Sequence, residues 1–193
     1  VSDRDRRSTT GGGVSMNGVD VLREMFGRVG PALSSAIQDL DGDALTARVD
    51  GEANTLAWLA WHVGREQDAQ VAAAVGRDQV WTAQGFSARF ALPFDDAAIG
   101  YGQSSTEVGQ VRASAALLAE YLDAVQDETA DVLDELTDGD LYRVVDADWD
   151  PPVTLGVRLV SVVEDALQHA GQAGYLRGLI DRGSVDDGAV ATD

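Results

Sequence analysis

Residues Thr154 to Asp181 read T-L-G-V-R-L-V-S-V-V-E-D-A-L-Q-H-A-G-Q-A-G-Y-L-R-G-L-I-D. Thr154 can cap a helix start, because its hydroxyl accepts one of the orphan N–H groups of the first turn. Pro151 and Pro152 keep any earlier helix from running into it. Leu155, Leu159, Val162, Val163, Ala166, Ala170, Ala173, Leu176 and Ile180 recur at helical spacing, which predicts one stripe facing a core. Asp165 and His169 sit in or beside that stripe. Residues four apart share a helix face, so a carboxylate and an imidazole are expected to point the same way, toward the interior.

The next informative stretch outward is N-T-L-A-W-L-A-W-H-V-G-R-E-Q-D, residues 54–68. It predicts a second long helix, capped by Asn54 and running to about Val75, with Leu56, Leu59, Ala60 and Val63 as its core stripe. His62 lies next to that stripe. It and His169 are the only 2 histidines in the chain. A further helix is expected from about Ser114 to Leu136, where Leu118, Leu122, Val125, Thr129, Val132 and Leu136 alternate steps of four and three. Asp20 is the expected cap of the first helix, with Leu22, Phe26, Val29, Leu33, Ile37 and Leu40 as its stripe; Gly30-Pro31 should kink or break it. Residues 41–49 read as a turn with a short helix capped by Asp43. Residues 77–112 are too long for a tight helix–helix loop. They are expected to hold one or two short helices around Val80 to Phe90 and to cross over the bundle or cover one end. Residues 138–150 read as a loop in which Val144 and Val145 form a short strand.

These elements predict one all-α, four-helix bundle over residues 19–182, with a Gly-rich flexible leader at 1–18 and an acidic tail at 183–193. Met16 is a candidate start residue. A length of 193 residues suits one well-buried core. The net charge of −19 argues against nucleic acid or an anionic membrane surface as a partner. No apolar run reaches transmembrane length and none follows S-D-R-D-R-R at residues 2–7, so neither a membrane span nor a signal peptide is expected, and a cytoplasmic location follows. With Cys 0, disulfides, thiolate nucleophiles and cysteine metal sites are excluded. All 14 basic residues are Arg.

His62, Asp165 and His169 form a two-histidine, one-carboxylate set drawn from two helices. Three such ligands with an open fourth position are typical of catalytic zinc, and the same set suits non-haem iron or other divalent metals. Glu164 is turned roughly 100° away around its helix and is the poorer ligand. Spacing alone leaves a second reading open, in which the histidines are ordinary core residues and Asp165 pairs with Arg158. Around the set, Trp58 and Trp61 read as core or pocket wall. Arg65 and Glu66 read equally as supporting groups or as a solvated face. Gln172, Tyr175 and Arg177 are expected to hold the last helix against the crossover.

The stretch 54–68, W-D-P-P-V-T-L-G at 149–156 and E-D-A-L-Q-H-A-G-Q-A-G-Y-L-R-G at 164–178 resemble the DinB-like superfamily. Within it they are similar to actinobacterial proteins related to mycothiol-dependent maleylpyruvate isomerase. The likeness runs from about Val19 to Ile180. It implies a DinB-like four-helix bundle with a long crossover between helices two and three. It also implies a zinc or nickel ion held by His62, Asp165 and His169, where many members have His in place of Asp165 and the isomerase branch has a longer carboxylate. The implied activity is a metal-dependent transferase or isomerase that uses a low-molecular-weight thiol, with mycothiol the expected thiol, and a small electrophilic substrate. The alternative is a non-catalytic DinB-like protein that binds a metal or small ligand. Either would be a monomer or a homodimer.

Overall fold

The computed structural model describes residues 15–185. The first fourteen residues of the expected leader and residues 186–193 of the expected tail lie outside the described residues. Four long helices make the architecture: α1 (Gly18–Ile37), α3 (Leu56–Val75), α7 (Ala115–Glu135) and α8 (Leu155–Ile180). Short helices α2 (Gly42–Thr46), α4 (Val80–Ala83), α5 (Phe86–Phe90) and α6 (Ser105–Val108) lie in the connections. A 3-10 turn at Asp140–Tyr142 precedes the two-stranded antiparallel pair β1 (Val144–Asp146) and β2 (Val153–Thr154). The expected strand at Val144–Val145 is therefore present, with β2 as its partner.

The long helices pack in a ring, α1 on α8, α8 on α3, α3 on α7 and α7 on α1. Their directions follow from cross-helix bonds. Gln70 meets Arg158 while His62 meets Asp165 and His169, so α3 and α8 run antiparallel. Arg23 reaches Asp134 while Gly30 lies against Gln126, so α1 and α7 are antiparallel as well. Gly64 lies against Tyr121 and Arg77 bonds Glu128 and Glu135, so α3 and α7 are parallel. Parallel neighbours cannot be joined by a tight turn. The chain leaving α3 must travel back along the bundle, a distance of about 30 Å for a helix of this length. That is the physical reason for the crossover at residues 76–114, which the sequence led us to expect between these helices.

The predicted stripe of α8 is buried from Leu155 to Leu176, with Ile180 partly covered. Fully burying such side chains contributes about 1.5–3 kcal/mol each, more than the weak propensity of the Val-rich first turns costs. Gly64 is needed where α3 crosses α7, because a Cβ there would stand 2.7 Å from the Tyr121 ring.

Several helix starts differ from expectation. Asn17, not Asp20, caps α1: its side chain accepts from the Asp20 N–H while the Asp20 carboxylate accepts from the Asn17 N–H, a reciprocal capping box. Asp41 rather than Asp43 caps α2, and Thr55 rather than Asn54 caps α3. In each case two or three capping residue types stand together, and hydrophobic burial of the first turn selects among them. Helix α1 runs through Pro31 to Ile37, and Leu40 lies beyond its end. Buried Val29, Gly30 and Leu33 surround the proline, so packing holds the helix where one backbone bond is lost.

A candidate metal centre between α3 and α8

One side of α3 grips the crossover in order. The Trp58 indole N–H donates to Gln103 Oε1 at 2.7 Å. His62 Nδ1 lies 2.5 Å from the Ile99 carbonyl. Arg65 donates through Nε to the Ala98 carbonyl at 3.2 Å and through Nη2 to the Asp96 carbonyl at 2.9 Å. Asp68 accepts from the backbone N–H groups of Val80 and Trp81, both at 2.8 Å, so it caps α4 from another helix. Steps of four, three and three residues keep these four side chains on one helical face. Gly100 makes the close approach workable. Its φ of +97° lies in the region glycine favours, and a Cβ there would stand 2.6 Å from His62 Nδ1.

A carbonyl oxygen only accepts, so His62 must carry its proton on Nδ1 and leave Nε2 with a free lone pair. Trp58 stacks on the ring at 4.5 Å and 16°, which fixes its plane. Burial lowers the imidazole pKa, as does neighbouring His169, against the opposing pull of the Ile99 carbonyl and Asp165. His62 is thus held neutral, the form that binds metals. His169 stands edge-on to His62 at 4.8 Å, and its Nδ1 contacts Gln172 Oε1 at 3.3 Å, which likewise leaves Nε2 free. Asp165 comes between them. Its Oδ2 lies 3.8 Å from His62 Nε2 and its Oδ1 3.6 Å from His169 Nε2.

These separations are too long for hydrogen bonds. They are near the spacing of about 3.3 Å that ligand atoms adopt around a tetrahedral ion with bonds of about 2.0–2.1 Å. One ligand atom from each of the three residues lies within 4.8 Å of the other two. Asp165 Oδ2 is buried with no hydrogen-bond partner among the described residues. An orphaned buried carboxylate oxygen is costly unless something cationic or a donor meets it. Two free imidazole nitrogens and this oxygen therefore fit a divalent ion. The Asp165 side chain is 39% exposed, so the donor set opens to solvent on the α8 side.

Glu66, one turn along α3 from His62, is buried. Its Oε1 accepts from Gln70 Nε2, while its Oε2 has no partner. Burial, reinforced by the charge of Asp165 and opposed by Arg158, pushes its carboxyl up to about 8. Gln70 in turn accepts from Arg158 Nη1 at 2.6 Å, and Arg158 Nη2 meets Asp146 Oδ2 at 3.1 Å.

The structure thus brings His62, Asp165 and His169 together. Arg158 serves Gln70 and Asp146 rather than Asp165, which removes the alternative pairing. Trp58 is wall to the site, and Trp61 packs on Phe94. Arg177 holds α8 to the end of α1 through the Ala36 and Gln38 carbonyls rather than to the crossover. Tyr175 is exposed, and Gln172 touches His169. Arg65 and Glu66 are both buried, and so are Gln67 and Asp68. A signal for this was present: four consecutive helical residues spread over about 300°, so R-E-Q-D in a buried helix cannot all face water.

A comparison with solved structures finds a protein described as a conserved protein of locus from Enterococcus faecalis. It is 31% identical, has a TM-score of 0.80, and the match covers 87% of this chain and 99% of that one. No curated protein matches the chain. The family model for mycothiol-S-transferase matches residues 21–182, the span that holds all four long helices but the first turn of α1. With that match over most of its length, the chain belongs to the mycothiol-S-transferase family, a family of DinB-like, all-α fold.

Proposed function

We propose that this protein is a metal-dependent transferase that joins a low-molecular-weight thiol, mycothiol, to a small electrophilic substrate. The observation that supports it most is the convergence of one ring nitrogen of His62, one of His169 and an Asp165 oxygen within 4.8 Å of one another, in a chain of this family. The three residues would hold one divalent ion, zinc or nickel, and leave a coordination position open. A divalent cation there supplies acidity, stabilising a thiolate over its thiol near neutral pH. The rest is the work of the chain. Ile99 and Gln172 keep both imidazoles presenting Nε2. Trp58 and Gly100 close one side of His62 against water. The chain has Cys 0, so the sulfur must come from a bound thiol.

The test is metal analysis of protein purified without a histidine tag, followed by melting curves with mycothiol. About one divalent ion per chain is expected, lost in His62→Ala. Mycothiol should raise the melting temperature of the metal-loaded protein and not of the stripped protein, because only the folded, loaded chain offers the site. An S-blocked analogue should do much less. Equal shifts for free and blocked thiol would show that the sulfur does not meet the metal. No shift from either would leave a non-catalytic metal-binding protein as the better reading.

A further inference from the structure

The crossover reaches His62 through one backbone carbonyl. It belongs to Ile99, in a stretch of residues 91–104 without a helix or strand, braced locally by turns in which the Ala98 N–H meets the Asp95 carbonyl and the Gln103 N–H the Gly100 carbonyl. What ties this stretch to α3 beside His62 is Arg65. The Arg65 side chain is wholly buried, and its fork takes two carbonyls from the same stretch, Asp96 at 2.9 Å and Ala98 at 3.2 Å. The guanidinium is itself held in place. Nη1 meets Gln79 Oε1 at 3.0 Å, the Tyr121 hydroxyl at 3.4 Å and Asp68 Oδ2 at 3.5 Å, and the guanidinium carbon lies 4.8 Å from the centroid of the Trp81 ring. Ile99 follows directly on Ala98, so pinning the Ala98 carbonyl fixes the peptide plane from which Ile99 departs, and only the two dihedrals of Ile99 separate that plane from its own carbonyl. On the far side, Trp58 holds Gln103.

We propose that Arg65 is a positioning residue for the metal centre: by fixing Asp96 and Ala98 it places the Ile99 carbonyl on His62 Nδ1 and so commits Nε2 to the ligand side. This rests on the metal reading of the triad for its consequence, though not for its geometry. Outer partners of a ligating histidine set its tautomer and ring orientation, and losing one typically weakens metal binding by about 10–100-fold. Lysine cannot replace arginine here. It offers a point charge, where two carbonyls two residues apart need a planar fork.

The experiment compares wild type with Arg65→Lys and Arg65→Met on two readouts. The first is the imidazole ¹⁵N spectrum of metal-free protein, in which His62 is assigned as the sole histidine of His169→Gln. The second is zinc affinity by competition with a chromophoric chelator. Wild type should show His62 protonated on Nδ1 alone. Both variants should show a mixture of tautomers, with zinc binding weaker by about 10–100-fold. A folded Arg65 variant that keeps the wild-type tautomer and zinc affinity overturns the proposal. If neither variant folds, Gly100→Ala decides it. That substitution leaves Arg65 whole but forces the crossover off His62, and an unchanged tautomer and affinity there would equally overturn it. A wild type that binds no zinc would sink the metal reading alone, because the tautomer comparison uses metal-free protein and still tests Arg65.

Discussion

Buried charge on α3 is treated in opposite ways on its two sides. Toward the crossover, Arg65 and Asp68 face each other and are saturated. Asp68 takes two backbone N–H groups and the Tyr121 hydroxyl, and Arg65 spends its donors on Ala98, Asp96 and Gln79. Burial raises the Asp68 carboxyl, but Trp81, Val80, Tyr121 and Arg65 all pull it back toward the charged form. Toward α8, the Asp165 charge adds to burial in raising the cost of ionising Glu66, and each of the two carboxyl groups keeps a buried oxygen without a partner among the described residues. A satisfied polar group is part of the scaffold. An unsatisfied pair beside two free imidazoles is poised for something cationic. The difference separates structure from site on one helix, and it can be broken from either side.

The largest effect is expected on the saturated side. Asp68→Ala removes the cap of α4 and the acceptor of Tyr121, and leaves Arg65 buried beside an empty space. Breaking a buried pair in this way costs about 3–5 kcal/mol. Denaturant unfolding of the metal-free protein should show a loss of that size. A loss under about 1 kcal/mol would mean that water replaces the carboxylate and that the crossover is not held from α3.

The next effect depends on pH and is expected from Glu66. Its carboxyl titrates near 4.5 when unfolded and at about 8 when folded. Between those values the native state binds the proton and the unfolded state does not. Stability of the metal-free protein should therefore fall as pH rises through this window, by up to about 1.4 kcal/mol per pH unit. Glu66→Gln should flatten the profile and be the more stable form at its upper end. Unfolding midpoints across the window check this; parallel profiles for the two proteins would place Glu66 in an ordinary solvated environment. A bound cation should shrink the window, because positive charge favours the ionised carboxyl.

How much of this was legible in the sequence divides along the same line. The apolar stripes were legible, because Leu and Val at three- and four-residue steps in α7 and α8 have one physical solution. The meeting of His62, Asp165 and His169 was legible as a pattern, since two of the three lie four apart. Both histidines fall midway along their helices, so a meeting was possible whichever way α3 and α8 run, but spacing did not establish that they meet, because the packing of the two helices sets that. The clasp of Arg65 and Asp68 was hidden for a different reason. Its partners are backbone carbonyls and N–H groups of the crossover, which every sequence carries and no side-chain pattern marks. Caps were misplaced by one to three residues at Asn17, Asp41 and Thr55, where several capping residues stand together and only tertiary burial chooses.

The smallest change in stability, and the sharpest test of the comparison, belongs to Asp165→Asn. Asp165 Oδ2 accepts no hydrogen bond, and the side chain is 39% exposed, so an isosteric amide strands no partner. Stability of the metal-free protein should change by no more than about 0.5–1 kcal/mol. The charge is nonetheless gone, and with it one of the three proposed ligands. Metal content should fall sharply while the melting curve of stripped protein barely moves. The same substitution removes the charge that helps hold the Glu66 carboxyl high, so the pH window of Glu66 should narrow from its upper end. Combining Asp165→Asn with Glu66→Gln should then give less than the sum of the two changes, since each relieves the same repulsion. If Asp165→Asn instead keeps its metal and melts well below wild type, Asp165 belongs with Asp68 as scaffold, and the contrast between the two sides of α3 does not hold.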